Sequence, residues 1–315
     1  MPNLLTIDAI RVAADRIQGR VVRTPVLERT QGDATLLIKP EGLQGIGAFK
    51  IRGAFNKMMQ LPADCPGVVA HSSGNHAQAV ARAAKVLGIP AVIVMPNNAP
   101  PLKRMRTEAD GAEVIIVGPD SDERKNRARA IAKERGMVPV EPYDDIKIAA
   151  GQGTVALELV EDAGSIDRLY APVSGGGLMA GCSVAIRALC PNAEIIAVEP
   201  EAKDALKRSL SSGERTAVEP PTTIADGLRV RVPGEVTWPI LKEYVDRVVL
   251  VSEADMRRAM QWALTELRIV IEPSGAAALA AALKEGRGRC GIVCTGGNVD
   301  PAILAQVAKR AASPC

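Results

Sequence analysis

Aromatic side chains make up 2% of this 315-residue chain, with two Phe, two Trp and three Tyr. A surface that stacks successive bases needs rings in number, so nucleic acid recognised by stacking is excluded. Charge of one sign is equally scarce. Lys and Arg total 39 against 36 Asp and Glu, a net +3, too balanced for a footprint on a phosphate backbone. His71 and His76 are the only two histidines and cannot assemble a multi-histidine metal centre. The six cysteines, at 65, 182, 190, 290, 294 and 315, form no C-x-x-C pair, and a chain of this length does not depend on disulfides. They read as reduced thiols, which makes the cytoplasm the expected compartment. Long apolar runs are missing too: the longest near-continuous one, Ala276 to Leu283, is far below the roughly 18 residues that cross a bilayer. No membrane partner is expected. Asp8, Arg11, Asp15, Arg16 and Arg20 interrupt the N-terminal stretch, which argues against a secretory signal.

What the chain has is aliphatic. At 47% hydrophobic and 24% charged residues, it carries enough apolar surface to offset the entropy of ordering, in a core of Ala, Val, Leu and Ile. Short β-branched runs alternate with helical patterns, the mark of an α/β protein with mostly parallel sheets covered by helices. Strands are predicted at Gly67 to Ala70, Ala91 to Met95 and Glu113 to Val117. Each precedes a helix: Asn75 to Leu87 ending at Gly88, Pro101 to Ala109, and Glu123 to Arg135 ending at Gly136. A second set follows, with helix Thr154 to Ala163, strand Arg168 to Val173, helix Leu178 to Leu189 and strand Glu194 to Val198. From Ser252, a Ser-Glu-Ala-Asp capping sequence opens a helix with Met256, Met260, Ala263, Leu267 and Ile271 on one face. Gly291 to Cys294 is a further strand, and Val218 to Gly234 reads as an irregular connection.

In three segments a strand-like run ends in small residues that open a helix or turn: His71 to His76, Val173 to Leu178 and Cys294 to Asn298. Free backbone amides and the positive end of a helix make such places anion sites, and in open α/β sheets they gather at the carboxyl ends of the strands. Gly175, Gly177 and Ala180 also fit G-x-G-x-x-A, with Glu199 ending the next strand, so a nicotinamide-dependent enzyme stands as a rival reading. Close helix-strand packing alone would account for the same glycines. Lys50 lies in the largely apolar stretch Gly45 to Ala54, where desolvation would lower its pKa and supply the neutral amine that imine chemistry needs. A reactive lysine beside a phosphate loop points to pyridoxal phosphate. A lysine snorkelling from a helix is the plainer alternative.

Taken together, Lys39 to Gln44, Phe49 to Ala54, Ser72 to Gln78, Ala150 to Thr154, Ser174 to Gly177, Thr223 to Gly227, Ile271 to Pro273 and Thr295 to Asn298 resemble the motifs of the threonine dehydratase and serine racemase family. These are fold type II, tryptophan-synthase-β-like, pyridoxal-phosphate enzymes, and the motifs run in family order across almost the whole chain. The resemblance implies two lobes, each with a mostly parallel sheet: a large cofactor-binding domain of residues 1–64 and 145–315, and a small mobile domain of residues 65–144. It makes Lys50 the lysine bound covalently to the cofactor aldehyde, with Phe49 near the ring. Ser174, Gly175, Gly176 and Gly177 would cradle the phosphate, Asn75 would bond the ring hydroxyl, and Thr295 would face the pyridine nitrogen. Ser72, Ser73, Gly74 and Asn75 would hold the substrate carboxylate.

The implied reaction is loss of water from a β-hydroxy amino acid such as L-threonine or L-serine, giving a 2-oxo acid and ammonia. Ser73 keeps other outcomes open, since the matching serine in the family's racemases exchanges a proton with the far face of Cα. Serine or aspartate racemase and dehydratase of 3-hydroxyaspartate or phenylserine are therefore alternatives. Arg124 and Lys125 would suit a second substrate carboxylate, although a solvated helix face suits them equally. By the same likeness Glu272 would lie near the cofactor ring edge, and His71 and His76 would be structural.

Two departures concern the site. Ala48 stands where the family has Ser or Thr, and Ser174 where it has Gly. The family's cation site uses an acid at Glu199 and another six positions later, where this chain has Ala205, with Asp204 one place early. Glu199 is thus a weak candidate metal ligand, alone or with a carbonyl such as that of Lys203. Dimers are common among such proteins, so a homodimer is expected.

Overall fold

The structure is a computed structural model that describes residues 5–72 and 74–311. The chain opens with helix α1 (Ile7–Ile17), strands β1 (Leu27–Gln31) and β2 (Ala34–Pro40), and helix α2 (Lys50–Met58). Strand-helix units follow: β3 (Val68–His71) with α3 (Asn75–Leu87), β4 (Ala91–Pro96) with α4 (Pro101–Ala109), β5 (Glu113–Val117) with α5 (Ser121–Arg135), and β6 (Val138–Pro139) with α6 (Ile146–Ala163). Next come β7 (Arg168–Pro172), α7 (Gly177–Leu189), β8 (Glu194–Pro200), α8 (Ala205–Ser212) and α9 (Trp238–Tyr244). The last elements are β9 (Arg247–Val251), α10 (Glu253–Trp262), α11 (Pro273–Glu285), β10 (Gly288–Cys294) and α12 (Pro301–Ala311).

Two sheets result. One has six strands in the order β1-β2-β10-β7-β8-β9, parallel except for the β1-β2 hairpin. The other has four parallel strands in the order β5-β4-β3-β6. Their central strands are buried on both faces, as the continuous apolar runs of parallel strands demand. β4 is buried at every residue. The apolar cluster around the four-stranded sheet also takes in Ile51, Ala54 and Phe55 of α2.

Two of the predicted boundaries move by more than a helical turn, and others by one to three residues. The helix expected from Thr154 begins at Ile146, where the Asp145 carboxylate caps the amides of Lys147 and Ile148. Gly151 and Gly153 therefore lie inside α6. They permit backbone contact: a Cβ at Gly151 would come within 2.7 Å of Gly53 Cα in α2, and one at Gly153 within 2.8 Å of the Gly181 carbonyl in α7. The helix expected to run from Ser252 to Ile271 instead stops at Trp262 and passes through a π turn, Ala263–Leu267, to Arg268 at φ 60°. Glu272, ahead of Pro273, is extended, as residues before proline tend to be. Ile271 nevertheless joins Met256, Met260, Ala263 and Leu267 in one apolar cluster.

Candidate active site

The loops that follow β2, β10 and β3 are stitched together at the carboxyl ends of their strands. The Phe49 amide donates to the Thr295 carbonyl at 3.0 Å, and the Gly297 amide to the Gly47 carbonyl at 2.9 Å. Asn298 Nδ2 donates to the Ile46 carbonyl at 2.8 Å and to Asn75 Oδ1 at 3.0 Å, tying α3 to these loops. Thr295 is buried. In the loop after β3, Ser72 Oγ accepts from the Gly74 amide at 3.1 Å, and Gly74 leads into α3, which begins at Asn75. Ser73, a candidate for both catalysis and substrate binding, lies outside the described residues.

Lys50 opens α2. Its amine donates to the Pro142 carbonyl at 2.5 Å and sits 5.2 Å from the centre of the Phe49 ring. The residue as a whole is only partly buried, yet burial of the amine pushes its pKa down to about 8. At pH 7 about a tenth of such amines are neutral, against a few in ten thousand for an ordinary lysine. Among the described residues no carboxylate offsets this burial.

The loop after β7 turns its carbonyls away from its amides. The Ser174 carbonyl accepts from Lys203 Nζ at 3.4 Å, and the Gly175 carbonyl from Thr237 Oγ1 at 2.7 Å and the Gly234 amide at 3.0 Å. In a trans peptide the following amide points the opposite way, so the Gly175 and Gly176 N–H groups are directed away from these partners. The first main-chain acceptor in α7 is the Gly176 carbonyl, engaged by Ala180, which leaves the amides ahead of it at the positive end of the helix. Ser174 Oγ accepts from the Val230 amide at 3.2 Å. Side chains are excluded from this turn: a Cβ at Gly175 would fall 2.3 Å from the Tyr143 ring, and one at Gly176 2.7 Å from Leu241 and Thr237. Gly176 also adopts φ 102°. Gly176→Ala is therefore expected to cost about 1–3 kcal/mol through strain and displacement of the turn. A lower melting temperature with weaker cofactor binding checks this; an unchanged variant would refute it.

Glu272 joins the constellation from the large sheet's side. Its Oε1 accepts from Asn75 Nδ2 at 2.6 Å, and its Oε2, buried without a hydrogen-bond donor, lies 3.8 Å from Lys103 Nζ. Burial outweighs the lysine and raises the carboxyl to about 7. Lys103, on α4, pairs with Asp226 at 2.6 Å. Neither Lys103 nor Tyr143 carries a motif signal, though Tyr143 is one of only three tyrosines. His76 is buried, bonds the Val140 carbonyl at 2.8 Å and is held down to about 3 by burial, so it is neutral. His71 faces Glu141 at 3.6 Å. Arg124 bonds the Pro119 carbonyl at 2.9 Å within its own helix start.

Glu199 is not an open ligand. Its Oε1 bonds Lys203 Nζ and the Leu206 amide, and its Oε2 the Lys207 amide, the amides at 3.0 Å each. Among the described residues no group of three or more His, Cys, Asp or Glu gathers to hold a metal ion. No described helix is long and apolar enough to cross a membrane.

A desolvated amine and a glycine turn presenting bare amides fit an aldehyde that bears a phosphate. The comparisons with known proteins agree. The description "Pyridoxal-phosphate dependent enzyme" matches residues 17–296. The chain is 41% identical over 299 residues to the L-threo-3-hydroxyaspartate ammonia-lyase of Saccharomyces cerevisiae, covering 91% of each. It is 39% identical over 318 residues to the L-threonine ammonia-lyase of Thermotoga maritima, covering 98% of this chain and 79% of that one. The solved structure of maize serine racemase superposes with a TM-score of 0.91 at 39% identity, covering 97% of each chain. Site geometry, fold and sequence thus converge, and the chain belongs to the pyridoxal-phosphate dependent enzyme family.

Proposed function

We propose that this enzyme removes water from a β-hydroxy amino acid of the L-threonine or L-serine kind, releasing a 2-oxo acid and ammonia. The observation that carries the reading is the Lys50 amine, lowered to about 8 and adjacent in the chain to Phe49, whose amide bonds the Thr295 carbonyl. Lys50 would carry the cofactor aldehyde, with Phe49 beside the ring. The amides of Ser174, Gly175, Gly176 and Gly177 would hold the phosphate, and Asn75 and Thr295 the ring hydroxyl and ring nitrogen. Bound there, pyridoxal phosphate supplies an electron sink conjugated with the substrate Cα.

The chain's own groups do the rest. Freed when the substrate amine takes its place on the aldehyde, Lys50 Nζ would take the Cα proton. Ser72, Ser73, Gly74 and Asn75 would hold the substrate carboxylate, Asn75 being the first residue of α3. Thr295 would offer the ring nitrogen a neutral hydroxyl, which cannot stabilise a protonated ring as a carboxylate would. Negative charge at Cα is then poorly stored, and departure of the β-hydroxyl competes well with reprotonation.

A second reading, racemisation or dehydration of 3-hydroxyaspartate, is supported by relatives of similar identity that bear those names. Ser73 is the candidate proton carrier for the far face of Cα. A substrate screen decides between them: L-serine, L-threonine, threo-3-hydroxyaspartate and phenylserine are tested for oxo-acid release, with chiral analysis of the remainder. Fastest release from threonine or serine supports the proposal; racemisation outrunning release overturns it. The free cysteines support a cytoplasmic enzyme, and the family likeness supports a homodimer, which sedimentation of the purified protein tests.

The lysine also sets a pH dependence. Capture of the aldehyde needs the unprotonated amine, so the rate at which apoenzyme takes up cofactor should climb about tenfold per pH unit below 8 and level off above it. Stopped-flow absorbance reads this directly. A profile still climbing at pH 10 would show an ordinary lysine instead.

A further inference from the structure

Lys203 takes no part in the chemistry above, yet it is among the largest fully buried side chains. A lysine is almost never buried so completely without a partner. Here the partner is Glu199, four residues earlier near the end of β8, in a pair with neither side chain exposed. The remaining reach of the amine is toward the Ser174 carbonyl at 3.4 Å. The carboxylate is saturated from the other direction by the first-turn amides of α8 at Leu206 and Lys207. One ammonium therefore links the end of β8, the start of α8 and the first residue of the glycine turn.

A divalent cation in this place would need several oxygen ligands with open lone pairs. The site does not fit one. Both Glu199 oxygens are engaged, Ala205 is buried and offers no carboxylate, and the Lys203 side chain occupies the space beside Glu199. We infer that the Lys203 ammonium is a built-in replacement for a metal ion, neutralising Glu199 and holding the Ser174 carbonyl inward, so that the phosphate turn is formed without any divalent cation. Because that carbonyl points at Lys203, the Gly175 amide points the other way, and Lys203 is a positioning residue acting through the turn. The inference rests on reading residues 174–177 as the phosphate cradle.

The test uses purified holoenzyme, treated with a chelator and then supplied with Mg2+, Ca2+ or K+, with cofactor absorbance and melting temperature followed. Both should stay unchanged in the wild type. Lys203→Ala should weaken cofactor binding by about tenfold or more, and added Mg2+ or methylammonium, entering the vacated space, should restore at least half of the loss. Three results would overturn the inference: wild-type affinity that falls on chelation, a Lys203→Ala enzyme that binds cofactor normally, or a loss that no cation repairs. If Lys203→Ala does not fold, Lys203→Met combined with Glu199→Gln leaves no buried charge. That variant should fold and still bind cofactor about tenfold less tightly, and wild-type affinity there would count against the inference. A wild-type protein that binds no cofactor at all would refute the proposed function instead.

Discussion

Lys50→Ala is expected to lower kcat/KM for the amino-acid substrate by about 10⁴-fold while the protein becomes slightly more stable without cofactor. The two effects have one origin. The amine is held at about 8 against an ordinary 10.5 because burial penalises its charged form. Below pH 8 the folded and unfolded chains both bind the proton, and the fold bears the full penalty, on the order of a few kcal/mol at most. Between pH 8 and 10.5 the folded state releases the proton first and the penalty fades. Removing the amine should therefore raise the apoenzyme's melting temperature at pH 7 and have little effect near pH 10.5. Activity, the yellow colour of the bound aldehyde and its fixation by borohydride should all vanish together. A variant that keeps its colour, or loses stability at pH 7 along with activity, would contradict the assignment.

Arg52→Ala should produce the largest loss of stability. The guanidinium is fully buried and is bonded twice to Glu41, each at 2.8 Å, and twice to Glu158, at 2.6 and 2.9 Å. Lys39, also buried, supports Glu158 at 2.7 Å. Burial alone would raise the Glu41 carboxyl, but the Arg52 charge prevails and holds it below the usual range. Deleting Arg52 takes away the dominant countercharge of Glu41 and leaves the buried carboxylate with Thr24, Gln44 and the more distant charge of Lys39. The expected cost is about 3–5 kcal/mol, or roughly 10 °C in melting temperature for a chain of this size. The double variant Arg52→Met with Glu41→Gln should recover much of it, because a neutral pair leaves no ion behind. Since the Glu41 pKa is depressed in the fold, its contribution is present at neutral pH and lost as the pH falls below the carboxylate range. The variant should accordingly show a shallower acid transition. Equal stability for single variant and wild type would mean that the ions are not the support they resemble.

This network shows where sequence reading stops. Lys39, Glu41 and Arg52 stand inside the motifs Lys39 to Gln44 and Phe49 to Ala54, but nothing in their spacing says that they meet Glu158, 106 residues beyond Arg52. The strand-helix units from β3 to β5 are legible because β-branched runs alternate with helices closed by Gly88 and Gly136, both at left-handed φ. The β1-β2 hairpin gives little signal, since β1 is largely exposed and β2 is buried on both faces, so neither alternates cleanly. The first half of α6 is hidden by Gly151 and Gly153, which look like loop residues until α2 and α7 are seen against them. At the site, a lysine in apolar company and a glycine turn are visible in one dimension. The Asn75 contact with Glu272 joins residues 197 apart and is not.

The placement of α2 bears on how relatives can be recombined. Its apolar face, Ile51, Phe55 and Met58, packs together with the preceding Ile46 into the cluster of the four-stranded sheet, although the helix precedes that sheet in the chain. A chimera that swaps this sheet between two homologues must then be spliced ahead of Ile46, or it will graft a foreign interior onto α2. Lys50, which lies beyond that splice, would travel with the graft, and such hybrids would inherit the proposed cofactor amine from the parent that donates the smaller sheet.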